Sequence, residues 1–119
     1  MLFRIRPHSD APIFVQVADA VRTELCAGRL GLGDRLPPAR EVAAALNVNM
    51  HTVLRAYQDL RDEGLLELRR GRGAVITEAG DRLRSLDDDI RALTAKAAAL
   101  NIGPDTLSAL VKEASHVPE

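Results

Sequence analysis

Apolar residues recur at helical spacing in some stretches of the chain and alternate in a few short ones, and this division predicts most of its elements. Ile13, Val17 and Val21, with Phe14, Ala18 and Leu25 beside them, mark the buried stripe of a first helix. Asp10 is placed to cap that helix, Pro12 fits near its first turn, and Gly28 stops it. Ahead of it, Leu2-Phe3-Arg4-Ile5-Arg6 alternates as a short edge strand would before Pro7. From Gly28 to Pro38, three glycines and two prolines exclude regular structure, while Leu30, Leu32 and Leu36 predict an ordered connector packed down on the core. A second helix from Pro38 to Leu46 puts Val42, Ala43 and Leu46 on one face. Asn47-Val48 then turns the chain, and Asn49 caps a third helix running toward Glu63. Val53, Ala56, Tyr57 and Leu60 form its buried stripe. Gly64 ends it, and Leu65 to Arg70 and Ala74 to Thr77 read as two strands joined by Gly71-Arg72-Gly73.

The remaining residues carry a different pattern. Leu83, Leu86, Ile90, Leu93, Ala97 and Leu100 are spaced alternately three and four apart, the seam of a left-handed helix pairing, on a helix from about 79 to 100. Asn101 and Gly103 end it, Pro104 starts another, and Leu107, Leu110, Val111 and Ala114 give that last helix its apolar face. Two amphipathic helices make a poor core alone and need either the preceding domain or the same helices of a second subunit. The pairing between subunits is the favoured reading. The fold class is therefore mainly α with a small β-hairpin wing: a winged helix-turn-helix over residues 1–77, followed by a two-helix dimerisation segment over 78–119.

Composition narrows the function. At 46% hydrophobic and 28% charged residues the chain is of ordinary globular type, and with 3% aromatics its core must be aliphatic. No apolar run approaches the roughly 20 residues of a membrane helix, and the N-terminus lacks a signal-peptide pattern, so a cytoplasmic location is expected. Cys26 is the one cysteine, which excludes an internal disulfide and suits a packing residue better than a redox thiol. His8, His51 and His116 lie far apart, with no accompanying nucleophile, carboxylate pair or phosphate loop, so neither an enzyme nor a metal or other cofactor is expected. Asp87-Asp88-Asp89 reads as a solvated helix start, since adjacent helix positions diverge too far to share a metal. The net charge of −1 averages two unlike parts: residues 1–77 hold 11 Arg against 9 acids, a balance of +2, and residues 78–119 hold 5 Lys or Arg against 8 acids, a balance of −3. A domain at +2 is mildly basic, so any affinity for nucleic acid depends on where its arginines sit.

Their placement, and the polar groups near it, point to DNA. His51, Thr52 and Arg55 face away from the core side of the third helix, and Asn49, Met50, His51 and Thr52 stand at its N-terminal end, where recognition helices meet base edges. Asn can pair bidentately with adenine, Thr and His can bond to bases or phosphates, and Met can touch a thymine methyl. At the hairpin, glycines allow close approach to the backbone, and Arg69, Arg70 and Arg72 can reach phosphates or a narrow minor groove.

The stretches PIFVQVADAVRTEL, GDRLPPAREVAAALNV, TVLRAYQDLRDEGLL and GRGAVIT, covering about residues 12 to 77, resemble the DNA-binding domain of the GntR family of bacterial repressors. Asn47-Val48-Asn49 before Thr52 and the Ala56-Tyr57 pair are most similar to the short YtrA-type subfamily. The resemblance implies that Arg40, Asn49 to Thr52, and Arg70, Gly71, Arg72 and Gly73 contact operator DNA, and that transporter operons are controlled. Where many members carry Ser-Glu this chain has Pro38-Ala39, so proline starts the helix, and where many carry Arg it has Met50 and Leu54. Two base contacts of relatives therefore do not transfer. The expected protein is a homodimeric repressor with two recognition helices about 34 Å apart on palindromic double-stranded DNA. About 40 residues in two helices cannot enclose a pocket of roughly 300 Å³, so any small-molecule effector, of unknown identity, would sit at the dimer interface. The competing class is a winged-helix protein-interaction module, which would not need arginines at the wing.

Overall fold

The computed structural model describes residues 3–6 and 8–116. It divides into an N-terminal unit ending at Leu86 and a C-terminal unit beginning at Asp87, nine residues past the boundary expected at Thr77. The first unit holds α1 (Ile13–Cys26), α2 (Ala39–Leu46), α3 (Met50–Asp62), β1 (Leu66–Arg69), β2 (Gly73–Ile76) and a single-turn α4 (Glu78–Asp81), which runs into a 3-10 turn over Arg82–Leu86.

Its core follows the predicted stripes. Val17, Val21 and Leu25 of α1, Val42 of α2, Val53 and Leu60 of α3, Leu66 of β1 and Ile76 of β2 are fully buried. Ala56 and Tyr57 are buried with them, and the Tyr57 hydroxyl donates to the Pro37 carbonyl at 2.6 Å. Burial pushes this phenol's pKa up and keeps it a neutral donor.

The turn between α2 and α3 is fixed by two asparagines. Asn47 takes the left-handed conformation at φ 56°, so Val48 N donates back to Ala43 O at 3.0 Å and closes α2. Asn49 then caps α3, its side chain accepting from His51 N at 2.7 Å, as expected. The same closure ends α3, with Gly64 at φ 82° and Leu65 N bonded to Leu60 O at 3.0 Å. Both turns redirect the chain within two residues.

Several expectations are corrected. Asp10 does not cap α1; Pro12 occupies that position and its carbonyl accepts from Val15 N and Gln16 N, both at 3.1 Å. Residues 3–6 form no strand, and Leu2 and Pro7 lie outside the described residues. Phe3 instead buries its ring in the core, and the Gln16 amide holds the segment by accepting from Arg6 N at 2.6 Å and donating to Arg6 O at 3.1 Å. The hairpin register, Leu66 opposite Ile76 and Arg69 opposite Gly73, makes the turn Arg70-Gly71-Arg72 and puts Gly73 in β2. Leu65, Arg70 and Thr77 fall outside the strands.

The connector is more regular than its glycines and prolines predict. Gly33 N donates to Ile76 O at 2.9 Å, Ile76 N to Asp34 O at 2.8 Å, and Leu36 N to Ala74 O at 2.9 Å, with Arg35 opposite Val75. Residues 33–36 thus run along the free edge of β2 with an isolated bridge at Arg35, which satisfies backbone groups that an open edge would leave exposed.

A single helix from 79 to 100 is replaced by α4, the 3-10 turn and α5 (Asp87–Ala99). The Thr77 hydroxyl accepts from Gly80 N at 3.1 Å and donates to Gly64 O at 2.6 Å, tying α4 to the end of α3. Asp81 accepts from Leu32 N at 3.2 Å, and the Arg84 guanidinium donates to Gly28 O at 3.4 Å. Leu83, expected in the helix-pairing seam, packs instead against the core of the first unit. These tertiary bonds, absent from any periodicity, outweigh the helical pattern.

The C-terminal unit comprises α5 and α6 (Pro104–Ser115). Ile102 N bonds to Ala97 O at 2.8 Å past Asn101 at φ 59°, and Ala97 is buried. Ile90, Leu93, Leu100, Leu110 and Val111 are exposed, as is Leu86 at the end of the first unit, while Leu107 is half-buried. Asp87, Asp88 and Asp89 occupy the first turn of α5, where the helix dipole favours negative charge. No described helix is long and apolar enough to cross a membrane.

Gly80 sets how closely α4 approaches the hairpin. A Cβ there would lie 2.3 Å from Leu65 O and 3.0 Å from Ile76 Cγ2. Gly80→Ala is expected to destabilise the protein by about 2–3 kcal/mol, since backbone must move to admit the methyl. Urea unfolding checks this, and an unchanged midpoint would refute the close packing.

Candidate nucleic-acid interface

Helix α3 positions the groups expected to read DNA by burying its opposite side. With Val53, Ala56, Tyr57 and Leu60 inside, His51, Arg55 and Gln58 are exposed and Thr52 is half-buried. Asn49 and Met50 stand exposed at the N-terminal end. Asn49 serves the helix first: its Oδ1 accepts from His51 N, leaving the amide Nδ2 outward as a donor. Leu54 is half-buried, so its side chain is part of the packing and not a substitute for a polar reader.

Arg40 is the second residue of α2 and is exposed. Pro38 begins this helix without a side-chain cap, as its fixed φ allows. The hairpin follows α3 directly, with Gly64 and Leu65 as its link and Leu60, Leu66 and Ile76 buried in the shared core. Arg70, Gly71 and Arg72 form its tip, where Arg72 N bonds to Arg69 O at 3.1 Å and Gly71 has φ 80°. That conformation suits glycine.

Ion pairing divides the arginines. Arg22 pairs with Asp19 and Glu63, Arg29 with Glu24, Arg61 with Asp62, Arg69 with Glu67, Arg82 with Glu78, Arg84 with Asp81 and Arg91 with Asp87. The side chains of Arg40, Arg70 and Arg72 have no hydrogen bond or ion pair among the described residues, nor has that of Arg35 in the connector. Arg55 lacks an acid as well; its guanidinium stacks over the Phe14 ring, 3.7 Å from Cζ to centroid. Cations without internal partners are the ones able to accept phosphates without first breaking a bond. Sequence reasoning placed Arg69 with the wing cations, yet Glu67, two residues earlier on the same strand face, neutralises it. It also missed Arg35, because the connector is held to β2 by backbone bonds, and it missed the Phe14 stack. Among the described residues no group of three or more His, Cys, Asp or Glu side chains could hold a metal.

A short helix, a tight turn, a second helix with polar residues at its start and then a hairpin with an arginine tip define a winged helix-turn-helix. Residues 14–76 match the family model described as bacterial regulatory proteins, gntR family. Over 78 residues the chain is 41% identical to the HTH-type transcriptional repressor YtrA of Bacillus subtilis, covering 65% of this chain and 59% of that protein. It is 37% identical over 82 residues to the HTH-type transcriptional regulator YhcF of the same organism, covering 69% of this chain and 68% of that one. Among solved structures, YtrA from Sulfolobus acidocaldarius, a GntR-family transcription factor, is similar with a TM-score of 0.60 and 31% identity, over 95% of this chain and 96% of that one. The chain belongs to the gntR family of bacterial regulatory proteins, and the matched residues lie within its N-terminal unit. It spans less than two thirds of the Bacillus repressor.

The pairing pattern ranks the wing residues. Arg72→Ala is expected to weaken binding to every duplex sequence and to lower the slope of log affinity against log salt by about 0.9. Arg69→Ala is expected to do less, and Glu67→Gln to strengthen binding by releasing Arg69. Salt-titrated binding of the three variants checks this order; an Arg69 effect equal to that of Arg72 would refute it.

Proposed function

We propose that this protein is a dimeric transcriptional repressor that binds palindromic operator DNA, reading bases through Asn49, Met50, His51 and Thr52 and phosphates through Arg40, Arg55, Arg70 and Arg72. The observation that carries this reading is the arginine partition: Arg40 of α2, Arg55 of α3 and Arg70 and Arg72 of the wing tip lack internal acids, whereas Arg61 at the far end of α3, Arg69 of β1 and Arg82 and Arg84 of the 3-10 turn have them. Gly71 and Gly73 let the wing tip close on the sugar-phosphate backbone. The protein has no catalytic role in this reading, and it works in the cytoplasm, where the chromosome lies.

Dimerisation is assigned to the C-terminal unit. Ile90, Leu93, Leu100, Leu110 and Val111 are each 43–60% exposed, apolar residues that a second copy would cover. Leu107 borders them, and Ala97 serves as a small buried spacer where α5 ends. Leu83 is assigned to the winged-helix core and not to the interface. A twofold axis would set two recognition helices about 34 Å apart and match a palindrome.

A promoter fragment from the protein's own gene neighbourhood, competed against mixed-sequence duplex at physiological salt, should bind at least about a thousandfold more tightly. Equal binding would sink the operator reading and favour a protein-docking role for the winged helix. Leu93→Asp combined with Leu110→Asp should give a folded monomer by sedimentation, with operator affinity sharply reduced. A variant that sediments as a dimer would place the interface elsewhere.

A further inference from the structure

We infer that Phe14 of α1 positions Arg55 for a DNA phosphate at the edge of the groove that α3 enters. The inference rests on the DNA-binding reading above and adds a residue outside both the recognition helix and the wing. Arg55 stands on the exposed side of α3, one turn beyond His51. Its own helix offers an acid at the usual pairing distance, since Asp59 lies four residues on. No hydrogen bond or ion pair joins Arg55 to Asp59 or to any other described residue. The guanidinium sits over the Phe14 ring instead, with Cζ 3.7 Å from the centroid.

That choice of partner decides what the side chain has left to offer. An ion pair would occupy guanidinium N–H donors and cancel the charge, whereas stacking uses the face of the group and leaves donors and charge for an external acceptor. The donor fork suits two oxygens of one phosphate. Phe14 is half-buried and packed against the core, so the platform is fixed. Arg55 therefore gives up much of its rotamer freedom on folding and loses less when DNA binds. Its place along α3 selects the target: residues at the start of a recognition helix reach base edges, while a side chain one turn later and drawn toward α1 meets the groove's flank, where the phosphates are.

The test is equilibrium binding of the full chain to a short mixed-sequence duplex over a salt series. Phe14→Leu keeps an apolar side chain and removes the aromatic face; it should weaken binding about threefold in the wild-type background and not at all in an Arg55→Ala background. Phe14→Tyr should restore wild-type affinity, and Arg55→Ala should lower the salt slope by about 0.9. Equal losses from Phe14→Leu in both backgrounds, or no loss in either, would overturn the inference by making Phe14 a packing residue alone. If Phe14→Leu unfolds, Arg55→Lys decides: lysine keeps the charge without the planar fork, so unchanged affinity overturns the inference and a loss of about threefold upholds it. Failure of the wild-type protein to bind the duplex at low salt would overturn the DNA-binding reading itself, and this inference with it.

Discussion

Val53, Ala56 and Leu60 are shielded completely from water, and the groups that shield them come from α1, α2 and β1 together. Whatever α3 presents to a partner is therefore fixed by three neighbours at once. Rotating this helix by one residue would carry about 100° of its surface from the core to the solvent, burying Arg55 or His51 without a partner. Tyr57 adds a polar constraint to this apolar one, because its hydroxyl needs the Pro37 carbonyl once it is out of water. The start of α2 is thereby tied to α3, and Arg40 lies three residues beyond that bond. The hairpin is tied to α3 at its other end by Leu65 N on Leu60 O and by Thr77 on Gly64 O. Recognition helix and wing then share one rigid frame.

Electrostatics is handled by pairing and not by net charge. An excess of two positive charges over the first 77 residues would be a weak attractor if spread evenly. Acids instead sit beside Arg22, Arg29, Arg61, Arg69, Arg82 and Arg84, so among the described residues of the first unit the arginines without an acid are Arg4 and Arg6 ahead of α1, Arg35 of the connector, Arg40, Arg55, Arg70 and Arg72. Exposed pairs of this kind add little to stability. Their effect is to remove attraction at the paired positions, so that a modest net charge is concentrated on the remaining arginines.

Helix periodicity made the buried stripes of α1, α2 and α3 legible, together with the asparagine turn and the glycine hairpin, because each depends on residues close in sequence. The features that escaped depend on distant partners. Residues 33–36 carry no strand signature, and their bridge at Arg35 exists because β2 offers backbone groups at its edge. Leu83 fits a helical seam with Leu86 and Ile90, yet Gly80 against Leu65 O and Asp81 against Leu32 N hold it to the first unit. Pro12 displaced Asp10 as the cap because a proline with extended ψ can precede a helix without any side-chain acceptor. Of the candidate site, the exposed polar start of α3 and the arginine tip of the hairpin were legible from residue type. Which arginines are uncommitted was not, since pairing is decided by geometry across strands and helices.

On the proposed reading the base-reading end of α3 is sparse, and the structure gives the reason that one copy can discriminate only weakly. Leu54 is half-buried, so the exposed face between His51 and Gln58 offers Arg55 alone, and that side chain is drawn toward α1. Asn49 spends one acceptor lone pair on His51 N, which leaves its Nδ2 donors and remaining lone pair for a base. Met50 adds an apolar contact, and His51 and Thr52 add one polar group or two each. Each good base contact discriminates by about 1–3 kcal/mol, so these four positions can define only a short half-site. Two half-sites read at once multiply their discrimination, which is the physical reason a module with so few base contacts gains selectivity when it is paired. On the proposed reading, the exposed leucines of α5 and α6 and the sparse polar end of α3 answer one requirement.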